Sequence, residues 1–216
     1  MDTTKIKIKT VLLSLLSVVI VEVAVWGAVR FVSDEYTYRM TVIGAARCIE
    51  VALIFLIMNR WGGGLVSLGL DRSTLGAGFI KGLMWSAGFG ALALLAFIAM
   101  RLAGLNPLPQ IKTSLPSQFW GVTLYFLVGG LLAPVAEEVF FRGLIYGFMR
   151  RWGMVIACIV SVTPFVLLHS TGGAIPVPQI VGGIIFALAY ELEDNLIVPM
   201  VIHSSGNMAI FCLSLL

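Results

Sequence analysis

The sequence predicts an all-α, polytopic membrane protein, a bundle of about seven transmembrane helices. The 216-residue chain is 59% hydrophobic and only 12% charged, with a mean hydropathy of +1.02, whereas soluble domains carry about a quarter charged residues. Apolar runs of about 20 residues, enough to cross a bilayer as helices, recur along the chain. In lipid only helices and closed barrels satisfy the backbone, and the sequence lacks the alternation of a barrel.

Seven apolar segments are the predicted spans, within a single integral membrane domain over residues 1–216. The fifth and sixth segments are short, so six to eight spans are compatible with the pattern. A glycine-rich stretch at 59–81, read as a loop and an interfacial helix, precedes the third span, and a proline-containing loop follows it. In order, the segments are 10–31, 41–58, 82–103, 118–149, 154–169, 178–192 and 195–215.

The N-terminus, MDTTKIKIKT, carries three lysines ahead of the first apolar run. This run is too long for a signal-peptide core and has no clear cleavage site, so we interpret it as a retained span with a cytoplasmic N-terminus. The positive-inside rule favours this orientation, and the expected location is a bacterial inner membrane. The net charge of +3 is therefore explained by basic residues that orient the protein in the membrane, and no nucleic-acid partner is expected. The inner side would carry Lys5, Lys7, Lys9, Arg60, Arg72, Lys81, Arg150 and Arg151, and the outer side Arg30, Arg39, Arg101 and Lys112.

Charges also occur inside the predicted spans, where each costs about 2.5–3.5 kcal/mol on insertion scales and therefore marks a functional candidate with a partner. Glu22 lies in the first span, and Arg47 and Glu50 lie three residues apart in the second. This spacing places two opposite charges on one helix face, so we interpret the three residues as ion pairs. A role in gating a substrate is the alternative.

The stretch APVAEEVFFRG brings two glutamates and an arginine into the fourth span. Glu138 and Arg142 are four residues apart and can neutralise each other on one face. Glu137 is rotated by about 100° from Glu138, so the arginine leaves it free. A free buried carboxylate is suited to act as a general base.

The two histidines of the chain lie at or within later spans. His203 and Asn207 are four residues apart and share a helix face. At about 1.5 Å per residue, Glu137 lies roughly 21 Å and His169 roughly 24 Å above the turn at 151–153. If the acidic turn at 191–194 is on the same side, His203 and Asn207 lie roughly 12 and 18 Å above it. Residues from three helices are therefore predicted to meet in one layer.

This set of side chains suits peptide-bond hydrolysis. A carboxylate and an imidazole can activate a water, while a second histidine and an asparagine can donate hydrogen bonds to a developing oxyanion. Ser204 and Ser205 follow His203 directly and would therefore lie off its helix face. Ser170 is the serine that remains a candidate nucleophile.

These residues resemble the motifs of the CAAX protease and bacteriocin-processing family (CPBP, also called Abi), which includes type II CAAX prenyl proteases. EEVFFR matches its EExxxR motif, PFVLLH its aromatic-xxx-His element and HSSGN its HxxxN element. The resemblance covers about 120–212 and gives a catalytic core at 118–212 after N-terminal spans at 10–103. The acidic turn with Glu191, Glu193 and Asp194 departs from the Ser/Thr/Gly turn common in the family.

The resemblance implies an intramembrane endopeptidase acting on a membrane-associated protein or peptide, lipidated or C-terminally anchored, in contact with membrane lipid. It implies that Glu137 activates the water with His169 as its partner. His203 and Asn207 would form the oxyanion hole, and Glu138 and Arg142 would hold the site together.

Three alternatives stay open from the residues. We favour a mechanism without a cofactor, but Glu137, His169 and His203 could also bind zinc with a water in the fourth position. A non-catalytic immunity or secretion accessory protein is a second alternative. A proton-coupled transporter is the third, because intramembrane acids and histidines mark such paths.

Overall fold

The computed structural model describes residues 6–31, 35–170 and 176–216, and every regular element in these ranges is helical. The predicted all-α bundle is therefore confirmed. Lys5, one of the basic residues predicted on the inner side, lies outside the described residues. The helices are α1 (Ile8–Phe31), α2 (Tyr36–Trp61), α3 (Leu75–Leu102), the short α4 (Leu108–Ile111), α5 (Phe119–Trp152), α6 (Met154–His169), α7 (Val177–Glu193) and α8 (Ile197–Ser214).

Each of the seven predicted apolar segments corresponds to one of the long helices. Five of these, α1, α2, α3, α5 and α8, are long and apolar enough to cross a membrane. The apolar helix α6 has 16 residues and α7 has 17, somewhat less than the about 20 residues that a full crossing takes. The chain is thus an integral membrane protein, with five helices of sufficient length and hydropathy to span the bilayer among its described residues.

The stretch at 59–81 differs from its prediction, since its last part belongs to α3 itself. A short 3₁₀ turn at Leu65–Leu68 follows α2, and α3 begins at Leu75. The glycines Gly78 and Gly82 then lie where α3 meets α8. A Cβ on Gly82 would come within 2.6 Å of the Val201 Cβ, so the close helix approach depends on glycine here.

Helices α5 and α8 lie at the centre of the bundle. Helix α5 contacts α2, α6 and α7, and α8 packs against α3, α5 and α7, while α1 packs on α2 at the periphery. Any side chain that points inward from α5, α6 or α8 is therefore enclosed by other helices and not by lipid.

Helix α5 departs from regular α-helical geometry at two places. π-helical turns at Val128–Leu132 and Val139–Tyr146 flank the regular turn Ala133–Glu138, which carries both glutamates. π-helical turns widen a helix and shift its side chains, and they are frequent at functional sites. The two glutamates thus lie between two local distortions of the same helix.

Candidate functional site

The predicted site residues come from three helices and converge in the interior. Glu137, Glu138 and Arg142 lie on α5, His169 is the last residue of α6, and His203 and Asn207 lie on α8. The structure brings the first five into one cluster, while Asn207 contacts the α5 backbone beside it.

Glu138 and Arg142 form a fully buried ion pair. The Arg142 Nη1 donates to Glu138 Oε1 at 2.9 Å, and both side chains are 0% exposed. The same carboxylate oxygen lies 2.8 Å from His203 Nδ1. The i,i+4 pair expected from the sequence is present, and it also holds an imidazole of α8 in place.

The buried guanidinium of Arg142 has partners beyond its carboxylate. Its Nη2 donates to the backbone carbonyl of Gly183 on α7 at 3.1 Å. The ring centroids of Phe165 and Phe186 lie 4.6 and 5.3 Å from its central carbon. Aromatic faces attract cations through their quadrupole, more strongly away from water. Arg142 therefore ties α5 to α6 and α7 as well as to Glu138.

Unlike Glu138, Glu137 forms no ion pair with Arg142, although the Oε2 atom of each glutamate is buried without a hydrogen bond. The Glu137 Oε2 lies 3.8 Å from the Nε2 atoms of both His169 and His203. The side chain is 21% exposed. A gap of 3.8 Å is too long for a direct hydrogen bond, but a small molecule such as water can bridge it. Glu137 is thus the carboxylate that the arginine leaves free, as the helical spacing predicted.

The other ring nitrogens of the two histidines determine what their Nε2 atoms can do. His169 Nδ1 lies 2.7 Å from the Phe165 carbonyl oxygen, which can only accept, so Nδ1 carries the proton. His203 Nδ1 likewise faces the Glu138 carboxylate. In the neutral ring the proton on Nδ1 leaves Nε2 as an acceptor. With both rings neutral, both Nε2 atoms are therefore acceptors on the side of Glu137.

Asn207 is positioned by the first π-helical turn of α5. The backbone N–H of Ala133 bonds to the Val128 carbonyl instead of that of Gly129. The next residue, Pro134, has no N–H to offer Gly129 in its place. The Asn207 Nδ2 donates to this freed carbonyl at 2.9 Å. One of the two Asn207 N–H groups is thus used on α5, and the second is left for other partners.

Sequence reasoning missed Gly129, Gly183 and Phe186 as parts of the site. Phe186 stacks on the His203 ring with centroids 4.6 Å apart, and the two glycines supply carbonyls to Asn207 and Arg142. The one available signal was Pro134 inside an apolar helix, since proline interrupts the backbone hydrogen bonds of the preceding turn.

The intramembrane charges of α1 and α2 form the predicted ion pairs. Arg47 Nη1 donates to Glu50 Oε2 at 2.6 Å, and its Nη2 pairs with Glu22 across the two helices. Helix α2, which carries Arg47 and Glu50, packs against the Ala133–Glu138 turn of α5. This ion-pair cluster is therefore a neighbour of the site.

All three carboxylates of the acidic turn after α7 are paired. Glu191 and Asp194 bind Arg150 at 3.1 and 2.7 Å, and Glu193 binds Lys81 at 2.6 Å. The pairs with Arg150 place this turn on the same side as the end of α5, which was the condition of the depth estimate. The acidic residues that distinguish this turn from the usual family turn therefore connect α7 to α5 and α3 through ion pairs.

The zinc alternative concerns donor groups on three helices, α5, α6 and α8. Within the ranges that the structure describes, no three His, Cys, Asp or Glu side chains form a group that could hold a metal ion. Zinc binding by Glu137, His169 and His203 stays a prediction.

Gly183→Ala is expected to destabilise the site from α7. An added Cβ would lie 3.0 Å from Val162 Cγ1 and 3.3 Å from Phe165 Cδ1, so α7 must shift together with the carbonyl that Arg142 uses. Such overpacking costs about 1–3 kcal/mol, measured as the free energy of unfolding in detergent. Gly206→Ala is the matched control, because no atom lies within 4 Å of its added Cβ. Equal stability of the two variants would contradict the expectation.

The fold and the buried charges define an integral membrane protein whose helices enclose carboxylates and imidazoles. Residues 119–209 match the family model of the Rce1-like type II CAAX prenyl endopeptidases. The resemblance that the three motifs predicted over about 120–212 is therefore confirmed for this part of the chain.

The chain is also similar to the UPF0177 protein YxdF of Lactococcus lactis, with 28% identity over 79 residues. This match covers 37% of the chain and 44% of YxdF, so the chain spans under half the length of that relative. No solved structure matches the chain.

Proposed function

We propose that this protein is an intramembrane endopeptidase of the CAAX-protease type that hydrolyses a peptide bond with water activated by Glu137. The observation that carries the proposal is the Glu137 Oε2 atom, which is buried, makes no hydrogen bond and lies 3.8 Å from two imidazole Nε2 atoms. The match of residues 119–209 to the Rce1-like family supports it.

In the proposed mechanism Glu137 and His169 orient the attacking water. The water donates one hydrogen bond to Glu137 Oε2 and the other to His169 Nε2, whose lone pair is free because Nδ1 is bound to the Phe165 carbonyl. As the water oxygen bonds to the substrate carbonyl carbon, its proton passes to Glu137. The C–N bond then breaks, and Glu137 returns this proton to the leaving nitrogen.

His203 and Asn207 are proposed to stabilise the oxyanion of the tetrahedral intermediate. The proposed oxyanion contact uses the doubly protonated ring of His203, in which Nδ1 donates to the Glu138 carboxylate and Nε2 is also a donor. Asn207 adds the N–H that Gly129 does not use. Donors fixed before the reaction lower the barrier without reorganising. Glu138 and Arg142 act through these residues as positioning groups.

The proposed substrate is a protein or peptide at the membrane, lipidated or anchored by its C-terminus. This substrate class follows from the enclosure of the site by apolar helices and from the family that residues 119–209 match. The proposed location is a bacterial inner membrane with the N-terminus in the cytoplasm.

The proposal is tested by comparing protein N-termini, by mass spectrometry, in host cells that carry the wild type or Glu137→Gln. We expect a set of N-termini that disappears in Glu137→Gln and names the substrates. Glu22→Gln is the control, since it removes an intramembrane carboxylate that binds Arg47 and lies outside the cluster. Identical profiles for the wild type and Glu137→Gln would refute hydrolysis by Glu137 and favour the transporter or accessory alternative.

A further inference from the structure

A groove between α3 and α7 lies outside the candidate site and has no role in the proposed chemistry. Its volume is about 490 Å³, and Met84, Phe89, Leu92 and Ile185 line its apolar part. At one end it reaches a polar group, in which Glu193 accepts hydrogen bonds from Lys81 at 2.6 Å and from Trp85 Nε1 at 2.9 Å. We call it the α3–α7 groove.

The position of the α3–α7 groove sets the kind of molecule that can occupy it. Helix α3 is a span of 28 residues with no part of its most apolar window buried, so the groove opens sideways to the hydrocarbon. A tryptophan N–H and a lysine at one end are typical of the level where lipid headgroups begin. An acyl chain in the groove would thus have its headgroup beside Lys81.

The charge at this end of the bundle favours an anionic headgroup. Contacts between Arg151 and the Ile6 carbonyl, and between Arg150 and Asp194, show that the helix ends concerned lie on one side. Among the described residues of this side the basic side chains outnumber the acidic ones. The basic residues are Lys7, Lys9, Arg60, Arg72, Lys81, Arg150 and Arg151, and the acidic ones are Asp71, Glu191, Glu193 and Asp194.

Lys81 itself can bind a phosphate while it stays paired with Glu193. Its side chain is 51% exposed, and an ammonium group has three donors, of which Glu193 uses one. We propose that the α3–α7 groove binds one acyl chain of an anionic phospholipid, whose phosphate is held by Lys81.

The floor of the groove connects it to the candidate site. Trp85, Phe89 and Ile185 pack against the aromatic cluster that includes Phe165 and Phe186, the two rings that face Arg142. A bound acyl chain would therefore support the α3 and α7 side of the wall around the site.

The test uses Trp85 as a probe inside the groove. The other four tryptophans are at least 44% exposed, so each can be replaced by Phe with little loss of packing: Trp26, Trp61, Trp120 and Trp152. The single-tryptophan protein is placed in phosphatidylcholine vesicles that contain a fixed fraction of brominated phosphatidylglycerol or brominated phosphatidylcholine. We expect at least about two-fold stronger quenching by the anionic lipid, because basic residues at the surface attract it.

Two glycines of α3 give a matched pair of variants. Gly88 lines the groove, and no atom lies within 4 Å of a Cβ at Gly88 or Gly90. Gly90 is rotated by about 200° from Gly88 around the helix, so a side chain introduced at Gly90 would point away from the groove. Gly88→Phe fills the groove and should abolish the preference for the anionic lipid, whereas Gly90→Phe should keep it.

Lys81→Gln provides a second variant that does not change the shape of the groove. It should reduce the preference for brominated phosphatidylglycerol while quenching by brominated phosphatidylcholine is retained. Equal quenching by the two lipids in the parent protein, or a preference that survives both Gly88→Phe and Lys81→Gln, would overturn the proposal. The readout is independent of proteolysis, so its failure is distinct from failure of the proposed function.

Discussion

Purified protein with Glu137→Gln is expected to cleave its substrate about 10²–10⁴-fold more slowly than the wild type, the range that a positioned general base contributes. Glutamine keeps the shape of the side chain but cannot accept the proton of the attacking water. The folded state should be unaffected, because Glu137 Oε2 makes no hydrogen bond that the substitution could break. The measurement is the cleavage rate at saturating substrate, with the thermal unfolding midpoint recorded in parallel.

Two comparisons make this result specific. Glu22→Gln should keep the rate within a few-fold, and a comparable loss there would mean that any intramembrane carboxylate matters. Removing metal ions from the wild type with a chelator should leave the rate unchanged under the proposed mechanism. If the chelator stops cleavage and zinc restores it, the metal-dependent alternative replaces the role proposed for Glu137.

Local spacing was sufficient to predict the pairing of charges within one helix. Glu138 with Arg142, and Arg47 with Glu50, lie four and three residues apart and meet as the helical repeat requires. The helix geometry also placed Glu137 away from the arginine. These predictions succeeded because each depends on the fixed rotation of one helix and not on how several helices pack.

Contacts that depend on the packing of several helices were not predictable in the same way. The sequence shows that His203 and Asn207 share a face, but not that Asn207 would bind Gly129. That contact requires the π-helical turn at Val128–Leu132, which frees the carbonyl. Likewise, the carbonyl of Gly183 reaches Arg142 because a glycine lets α7 approach α6 closely. Such features follow from tertiary fit, which hydrophobic periodicity does not encode.

The distortions of α5 connect its sequence to the arrangement of the site. A regular helix through Pro134 would leave one carbonyl without a hydrogen bond in the interior of the bundle, which is costly. The π-helical turn and Asn207 together satisfy that requirement and fix α8 against α5 at the level of the glutamates. Because Pro134 leaves a backbone carbonyl of α5 without a donor, Asn207, which the proposed mechanism uses, is held in place by its hydrogen bond to α5.

Arg142→Met is expected to lower the free energy of unfolding by about 3–5 kcal/mol, as removal of one partner from a buried ion pair does. Methionine is similar in length, so the loss is mainly electrostatic. Glu138 would keep only His203 as a partner, and the Gly183 carbonyl would lose its donor. The measurement is unfolding in mixed detergent micelles, with Arg101→Met as the control because Arg101 is exposed at the end of α3.

The double variant Glu138→Gln with Arg142→Met separates the charge from the packing. It should be more stable than Arg142→Met alone, because the glutamine oxygen can still accept from His203 Nδ1 while no unpaired carboxylate is left in the interior. The alternative outcome is that the effects of the two substitutions on the free energy of unfolding are additive. In that case the side chains of Glu138 and Arg142 each contribute through packing alone. That result would mean that Arg142 does not neutralise Glu138, and Glu137 would no longer be distinguished from Glu138 by its free charge.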